Sequence, residues 1–377
     1  MVFGNKQPES FLGVDIGAGG IKIVELKKTK GRPQLWTYGV ANKELDIHVD
    51  TQEMPEIQEV MENNIEKKKE ILTNSLNQFA SDSRVIEYGG LLKELITQAK
   101  VTTNVATASL PVSYIFHALV TLPPVERRDL PHHIQAKIKK MIPQAIEDMQ
   151  VVFQQVPDPL AEKQKYYKYL VTAAPKKLVS FYSAIFQHAG LQLKELETEA
   201  FALTRSLVGL DTSVSMIVDI GAERTNFFIV DQGLPMTHRS IQLGGRVIDK
   251  ILAEKLGVEE SVAKQIKQDV SLFQDEEVNA ELFRPVLRPV MKEIEYSFDL
   301  FLRQTGNENK KPEKIILTGG SAVFPVFTKL IEESFPLRVF VGDPWARVVY
   351  QQGLKKALDA MGPRMSVAIG LAMRNIV

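Results

Sequence analysis

Residues Phe11 to Leu26, FLGVDIGAGGIKIVEL, and residues Met216 to Val230, MIVDIGAERTNFFIV, are two renderings of one pattern. In each, an apolar run enters Asp-Ile-Gly-Ala, crosses a few small or polar residues, and leaves through a second run rich in β-branched side chains. Such runs predict strand, tight turn, strand. Asp15 and Asp219 each end a first strand, and Gly17 and Gly221 follow at the same offset, where a turn needs positive φ or backbone without side-chain cover. A third glycine turn closes another apolar strand, Lys314 to Ser321, KIILTGGS. The repeat predicts two lobes of related topology.

Outward from the first turn, strands are predicted at Phe11–Asp15, Ile21–Lys27 and Gln34–Val40, a meander at the edge of a mixed sheet. From Thr51 to Ala80 the residues Met54, Ile57, Met61, Ile65, Leu72, Leu76 and Phe79 recur at steps of three or four. That periodicity predicts a long amphipathic surface helix carrying the charged run Glu66 to Glu70. A helix at Leu91–Gln98 and a strand at Asn104–Leu110 complete the first part of the first lobe, 1–111. Residues 112–156 read as a small inserted αβ subdomain punctuated by prolines: strand Tyr114–Leu122, helix Leu130–Met141, strand Val151–Val156. The first lobe resumes over 157–210 with a buried strand at Tyr166–Ala174, and strands alternating with helices there predict parallel pairing. The second lobe, 211–377, contains a strand at Pro235–Ile241, a long helix at Leu287–Arg303, a helix at Phe324–Ser334 and a closing helix at Ser366–Arg374.

A chain of 377 residues, 44% hydrophobic, is long enough for more than one core. Lys+Arg and Asp+Glu balance at 46 each, so no global positive field recruits nucleic acid or an anionic membrane. Thiol chemistry and disulfides are excluded because the sequence has no Cys, a composition that suits a reducing cytoplasm. The N-terminal MVFGNKQPES lacks an apolar h-region, and no run approaches the ~18 apolar residues of a membrane span. A soluble protein that meets the membrane only through a partner is the expectation.

Two such turns facing one another present backbone N–H groups to an anion, as nests and helix N-termini do. Asp15 and Asp219 would flank the same phosphates, which requires a hard cation between them; Mg²⁺ held mostly through water meets that need. Lys22 can reach a phosphate as a point charge. Gly319, Gly320 and Ser321 carry no carboxylate and suit a flat ring. Plainer readings stand beside these: a strand-end Asp caps turns, Glu199 could position a water for hydrolysis from a helix start but reads more plainly as a first-turn acid facing the helix dipole, and His132-His133 reads as surface.

In chain order, VDIGAGGIKIVEL, IVDIGAERTNFFIV and IILTGGSAVFP resemble the phosphate-1, phosphate-2 and adenosine motifs of the actin-like ATPase superfamily. Within it the chain resembles the PilM family of type IV pilus assembly proteins, over nearly its whole length. Lys22 to Leu26 is similar to the signature after that family's first turn. Leu122-Pro123-Pro124 through Met141-Ile142-Pro143 and Val151-Val152-Phe153 resemble its small subdomain, in the place where the related FtsA family carries its own insertion. Arg239 with Gly244-Gly245, and Glu293-Ile294 with Ser297-Phe298-Asp299, resemble two further segments. The resemblance implies a two-lobed actin-like ATPase (ribonuclease H-like) α/β fold with ATP and Mg²⁺ between the lobes. Carried over by position, Asp15, Gly17, Ala18, Gly19, Lys22, Asp219, Gly221 and Thr225 would contact phosphate or metal. Lys267 and Glu293 would lie near the ribose, and Gly319, Gly320 and Ser321 near adenine. It also implies a cytoplasmic scaffold that binds the N-terminal peptide of a PilN-like membrane protein, in a groove involving the small subdomain, alongside other pilus machinery proteins and as a homo-oligomer or ring.

Ala18-Gly19-Gly20 stands where the family usually has hydroxyl residues, and Asp249 where it often has Thr; both point to binding with weak or absent hydrolysis. The helix at 51–80 is longer than the family's usual connection. A small-molecule kinase of the sugar-kinase type on the same fold is the alternative. It requires a base beside a substrate hydroxyl, and no Asp in a matching motif supplies one.

Overall fold

The computed structural model describes residues 9–49, 79, 81–142, 144–157, 165–268, 283–304 and 306–377. The first hairpin joins β1 (Ser10–Gly17) to β2 (Gly20–Thr29) in antiparallel register, with Gly17 opposite Gly20. Gly20 has φ +122, and a Cβ there would meet Ala41 O at 2.0 Å, so this turn demands glycine. β3 (Arg32–Ala41) continues the meander, and β4 (Val105–Leu110) and β8 (Gln192–Thr198) add parallel to β1 and β4. The sheet order is β3-β2-β1-β4-β8.

The second half repeats this arrangement. β9 (Val214–Ile220), β10 (Thr225–Asp231) and β11 (Leu234–Ile241) form the meander, and β12 (Pro312–Thr318) and β13 (Arg338–Val341) add in parallel, in the order β11-β10-β9-β12-β13. The repeat seen as two similar turns is thus a repeat of an entire five-stranded topology.

A third sheet joins β5 (Phe116–Leu122), β6 (Met149–Val156) and β7 (Tyr167–Pro175), all antiparallel, in the order β5-β7-β6. Its middle strand is the one assigned by sequence to the resumed first lobe, so the small unit extends past residue 156. Strands β5 and β6 cannot pair without β7, whose apolar run reads the same in either sheet. One face of this sheet packs with Ile134 and Ile138 of a helix at Leu130–Ile138. On the other side, Val156, Leu170 and Leu119 join the core of the second lobe with Phe298 and Phe301. The unit is therefore inserted in the chain of the first lobe but packed on the second.

Helix α1 (Ser83–Gln98) begins well before the expected Leu91, because Asp82 accepts the Arg84 N–H at 2.9 Å and supplies a cap. The closing helix runs from Lys355 to Met373 rather than from Ser366, continuing through Pro363. Trp345, fully buried, donates its indole N–H to Leu358 O at 2.9 Å and so ties down the first half of this helix ahead of the proline. The four-residue strand β13 is too short for periodicity to reveal. The helix expected over 51–80 lies outside the described residues except Phe79, which is buried edge-on against Phe181.

Candidate functional site

Because both meanders place their first turn at the same end of the sheet, the two Asp-Ile-Gly-Ala segments face each other. A Cβ on Gly19 would lie 3.2 Å from the Ala222 Cβ, so the turns come almost into contact. The second turn is braced from below by the helix Gly245–Leu256, whose first N–H groups donate to Gly221 O (2.8 Å) and Ala222 O (2.9 Å). The third turn abuts it: Gly319 has φ +91, and a Cβ there would meet the Asp219 carboxylate at 2.5 Å. Ser321 N–H donates to Ile220 O at 3.3 Å.

The three turns enclose a cavity of ≈ 730 Å³. Among its lining residues are Asp15, Gly17, Ala18, Gly19, Lys22, Asp219, Gly221, Lys267, Gly319, Gly320 and Ser321. Two of the expected contacts do not line it. Thr225 is fully buried and donates to Leu243 O at 2.6 Å. Glu293 is taken up by an ion pair with Arg239 on β11. Thr225 pairs with Ile220 in the ladder, and the pleat turns its side chain under the sheet.

Opposite one another in the β1–β2 ladder, Asp15 and Lys22 form an ion pair at 3.1 Å, and the Ser109 hydroxyl also approaches Asp15 at 3.4 Å. Burial, and then the nearby Asp15 charge, raises Asp219 to about 6. Glu199, read from sequence as a helix-dipole acid, lines the cavity, with one oxygen 3.3 Å from the Val112 N–H. Burial, with Asp219 and Asp15 adding to it, raises Glu199 to about 8. It stands at the start of the short helix that follows β8, and its place in the cavity beside both aspartates depends on the packing of that helix between the sheets. Asp249, in the position after the glycine pair, forms a buried ion pair with Lys267 at 2.6 Å. Burial foremost holds the Lys267 pKa below its ordinary value.

Lodged at one end of the cavity, this cluster of acids whose charges oppose one another suits a hard divalent cation. Among the described residues no three carboxylate or imidazole groups converge on one point. Across the mouth, Arg246 donates to Ala18 O at 3.0 Å and pairs with Glu223 at 3.0 Å, linking the two turns. Neither Arg246 nor Arg364, a further cation lining the cavity, was marked by any sequence motif.

Two sheets of one strand order, each offering an Asp-bearing turn to a shared cleft, define an actin-like ATPase fold. The family model for type IV pilus assembly protein PilM matches residues 13–376, and the chain belongs to that family. A solved structure of the PilM–PilN type IV pilus biogenesis complex is similar over 98% of this chain and 100% of that one, at 20% identity and a TM-score of 0.75. The ethanolamine utilization protein EutJ from Carboxydothermus hydrogenoformans is similar over 98% and 91%, at 15% identity and a TM-score of 0.49. MreB 5 of Spiroplasma citri bound to AMPPNP is similar over 97% and 95%, at 13% identity and a TM-score of 0.45. Among the described residues no helix is long and apolar enough to cross a membrane.

Proposed function

We propose that this chain binds ATP with Mg²⁺ in the cleft and works as a cytoplasmic scaffold of the type IV pilus machinery, receiving the N-terminal peptide of a PilN-like membrane protein. The observation that carries the nucleotide reading is the meeting of all three glycine turns, with Asp15 and Asp219, on one cavity. Asp15 and Asp219 would hold the cation through water, Lys22 would meet the phosphates, and Gly319, Gly320 and Ser321 would border the nucleoside. Mg²⁺ would supply charge neutralisation between carboxylates and phosphates.

Hydrolysis is expected to be slow. Glu199, an acid lining the cavity beside both aspartates, is raised to about 8 in the ligand-free protein by burial and by the Asp219 and Asp15 charges, which disfavours the ionised form that a base for water needs. The first turn offers only backbone donors at Ala18 and Gly19. Nucleotide then acts chiefly through its differential affinity for the closed cleft. The family match leaves nothing in favour of the sugar-kinase alternative. Calorimetry of the purified protein should register ATP binding that depends on Mg²⁺, and the absence of any heat would overturn the nucleotide reading.

The partner reading is supported by family membership and by the PilN-bound fold relative. The small unit exposes the apolar side chains Met141 and Val152. In a pull-down with the N-terminal peptide of a PilN-like protein, Met141→Glu combined with Val152→Glu should cut capture about tenfold, the loss expected for two buried apolar anchors. Undiminished capture would remove the small unit's open surface from the proposed binding face.

A further inference from the structure

The nucleoside end of the cavity carries a cation that the motifs do not account for. Arg364, in the closing helix just after Pro363, lines the cavity and is partly buried. Its guanidinium donates to the side-chain oxygen of Asn42, a neutral group, and among the described residues no carboxylate lies within ion-pair range of it. Burial alone lowers its pKa, with no acid nearby to offset the cost. Lys267, the neighbouring cation, is by contrast matched by Asp249. A partly buried guanidinium that faces a cavity without a carboxylate partner is free to meet a ligand there.

Its position is fixed rather than incidental. The Pro363 carbonyl accepts the Gly319 N–H at 3.1 Å and the Thr318 hydroxyl at 3.0 Å, which pins the helix to the third turn. A Cβ on Gly320 would have only the Arg364 side chain within 4 Å, Cγ at 3.7 Å and Nε at 3.9 Å. The stem of Arg364 therefore lies over the bare backbone of Gly320, and Asn42, arriving from the first lobe after β3, steadies the guanidinium plane. A planar cation beside a glycine floor matches the face of an aromatic ring.

Resting on the nucleotide reading above, we infer that Arg364, oriented by Asn42, is a base-recognition residue on which the nucleobase stacks. The test compares Mg²⁺-ATP with Mg²⁺-tripolyphosphate, which carries the phosphates and no base, by calorimetry on the full chain. Arg364→Ala should weaken ATP binding about fivefold, as expected for a partly buried cation–π contact, and leave tripolyphosphate binding unchanged. That unchanged arm also establishes that the variant is folded. Arg364→Lys should fail to restore ATP affinity, because it keeps the charge and loses the plane. Asn42→Ala, at an exposed position, should weaken ATP about threefold by releasing the guanidinium. ATP affinity unaltered in Arg364→Ala, equal loss for both ligands, or full rescue by lysine would each overturn the assignment. Wild-type protein that binds neither ligand would instead overturn the nucleotide reading on which it rests.

Discussion

Asp219→Asn is expected to weaken Mg²⁺-ATP binding about a hundredfold or more while making the ligand-free protein more stable at pH 8. The first effect follows from removing one of the two carboxylates that oppose the phosphates, without which the cation loses an anchor. The second follows from the acids themselves. Folding raises Asp219 from an ordinary 3.8 to about 6, and Glu199 from 4.5 to about 8. A carboxyl whose folded pKa is raised is more readily protonated in the native than in the unfolded chain. Native stability therefore falls as pH climbs from the unfolded value to the folded one, and stays reduced above it. For Asp219 the window runs from about pH 4 to about pH 6, and the cost above it is about 3 kcal/mol. The neutral amide removes that cost and also relieves Glu199, for which Asp219 is the largest perturbing charge after burial itself. Thermal unfolding of both proteins across pH 3.5 to 8.5 checks this. The variant's melting temperature should exceed the wild type's at pH 8, and the gain should vanish near pH 4. A gain that persists at pH 4, or a variant less stable at pH 8, would contradict this origin of the shift.

The same acids mark where sequence reading reached the site and where it stopped. Asp15 and Asp219 were legible because a strand-end Asp followed by Ile-Gly-Ala occurs twice, and a pattern repeated in register is a local signal. The glycine pair at 319–320 was legible for a related reason: only a turn that admits close backbone approach spends two glycines after a strand. Glu199 was half legible, marked as a helix-start acid whose plainer reading was a dipole contact, and Arg364 was not legible, since it is brought to the cavity by a helix packed from a distant part of the chain. Thr225 and Glu293 were assigned by resemblance of position, and the structure turns both away. One lies under the sheet by the two-residue alternation of a strand, and the other is drawn off by Arg239. The small unit's boundary was misplaced because strand propensity identifies an apolar run without saying which sheet receives it.

Gly370→Ala and Gly13→Ala should each be strongly destabilising for a change of a single methyl group. The closing helix passes between β1 and the short helix Glu199–Leu203 with no side chains to separate them. A Cβ on Gly13 would meet Ala368 O at 2.1 Å and Ala372 N at 2.6 Å, and one on Gly370 would meet Ala202 O at 1.9 Å. These neighbours are backbone, so no rotamer change can make room and whole elements must move apart. Overpacking of this kind costs about 3 kcal/mol or more, well above the 0.5–1 kcal/mol or so that alanine usually returns in a helix. Gly90 is the matched control: it sits in α1, exposed, with nothing within 4 Å of an added Cβ, so Gly90→Ala should stabilise by about 0.5–1 kcal/mol. Urea unfolding of the three variants decides the matter, and wild-type stability in Gly370→Ala would refute the close approach. The consequence extends to the cleft. Gly370 shares its helix with Arg364, and Ala202 shares its helix with Glu199. A shift that accommodates the new methyl therefore displaces one residue at each end of the cavity. Where Gly370→Ala folds at low temperature, its affinity for Mg²⁺-ATP should fall although no residue of the cleft has been changed.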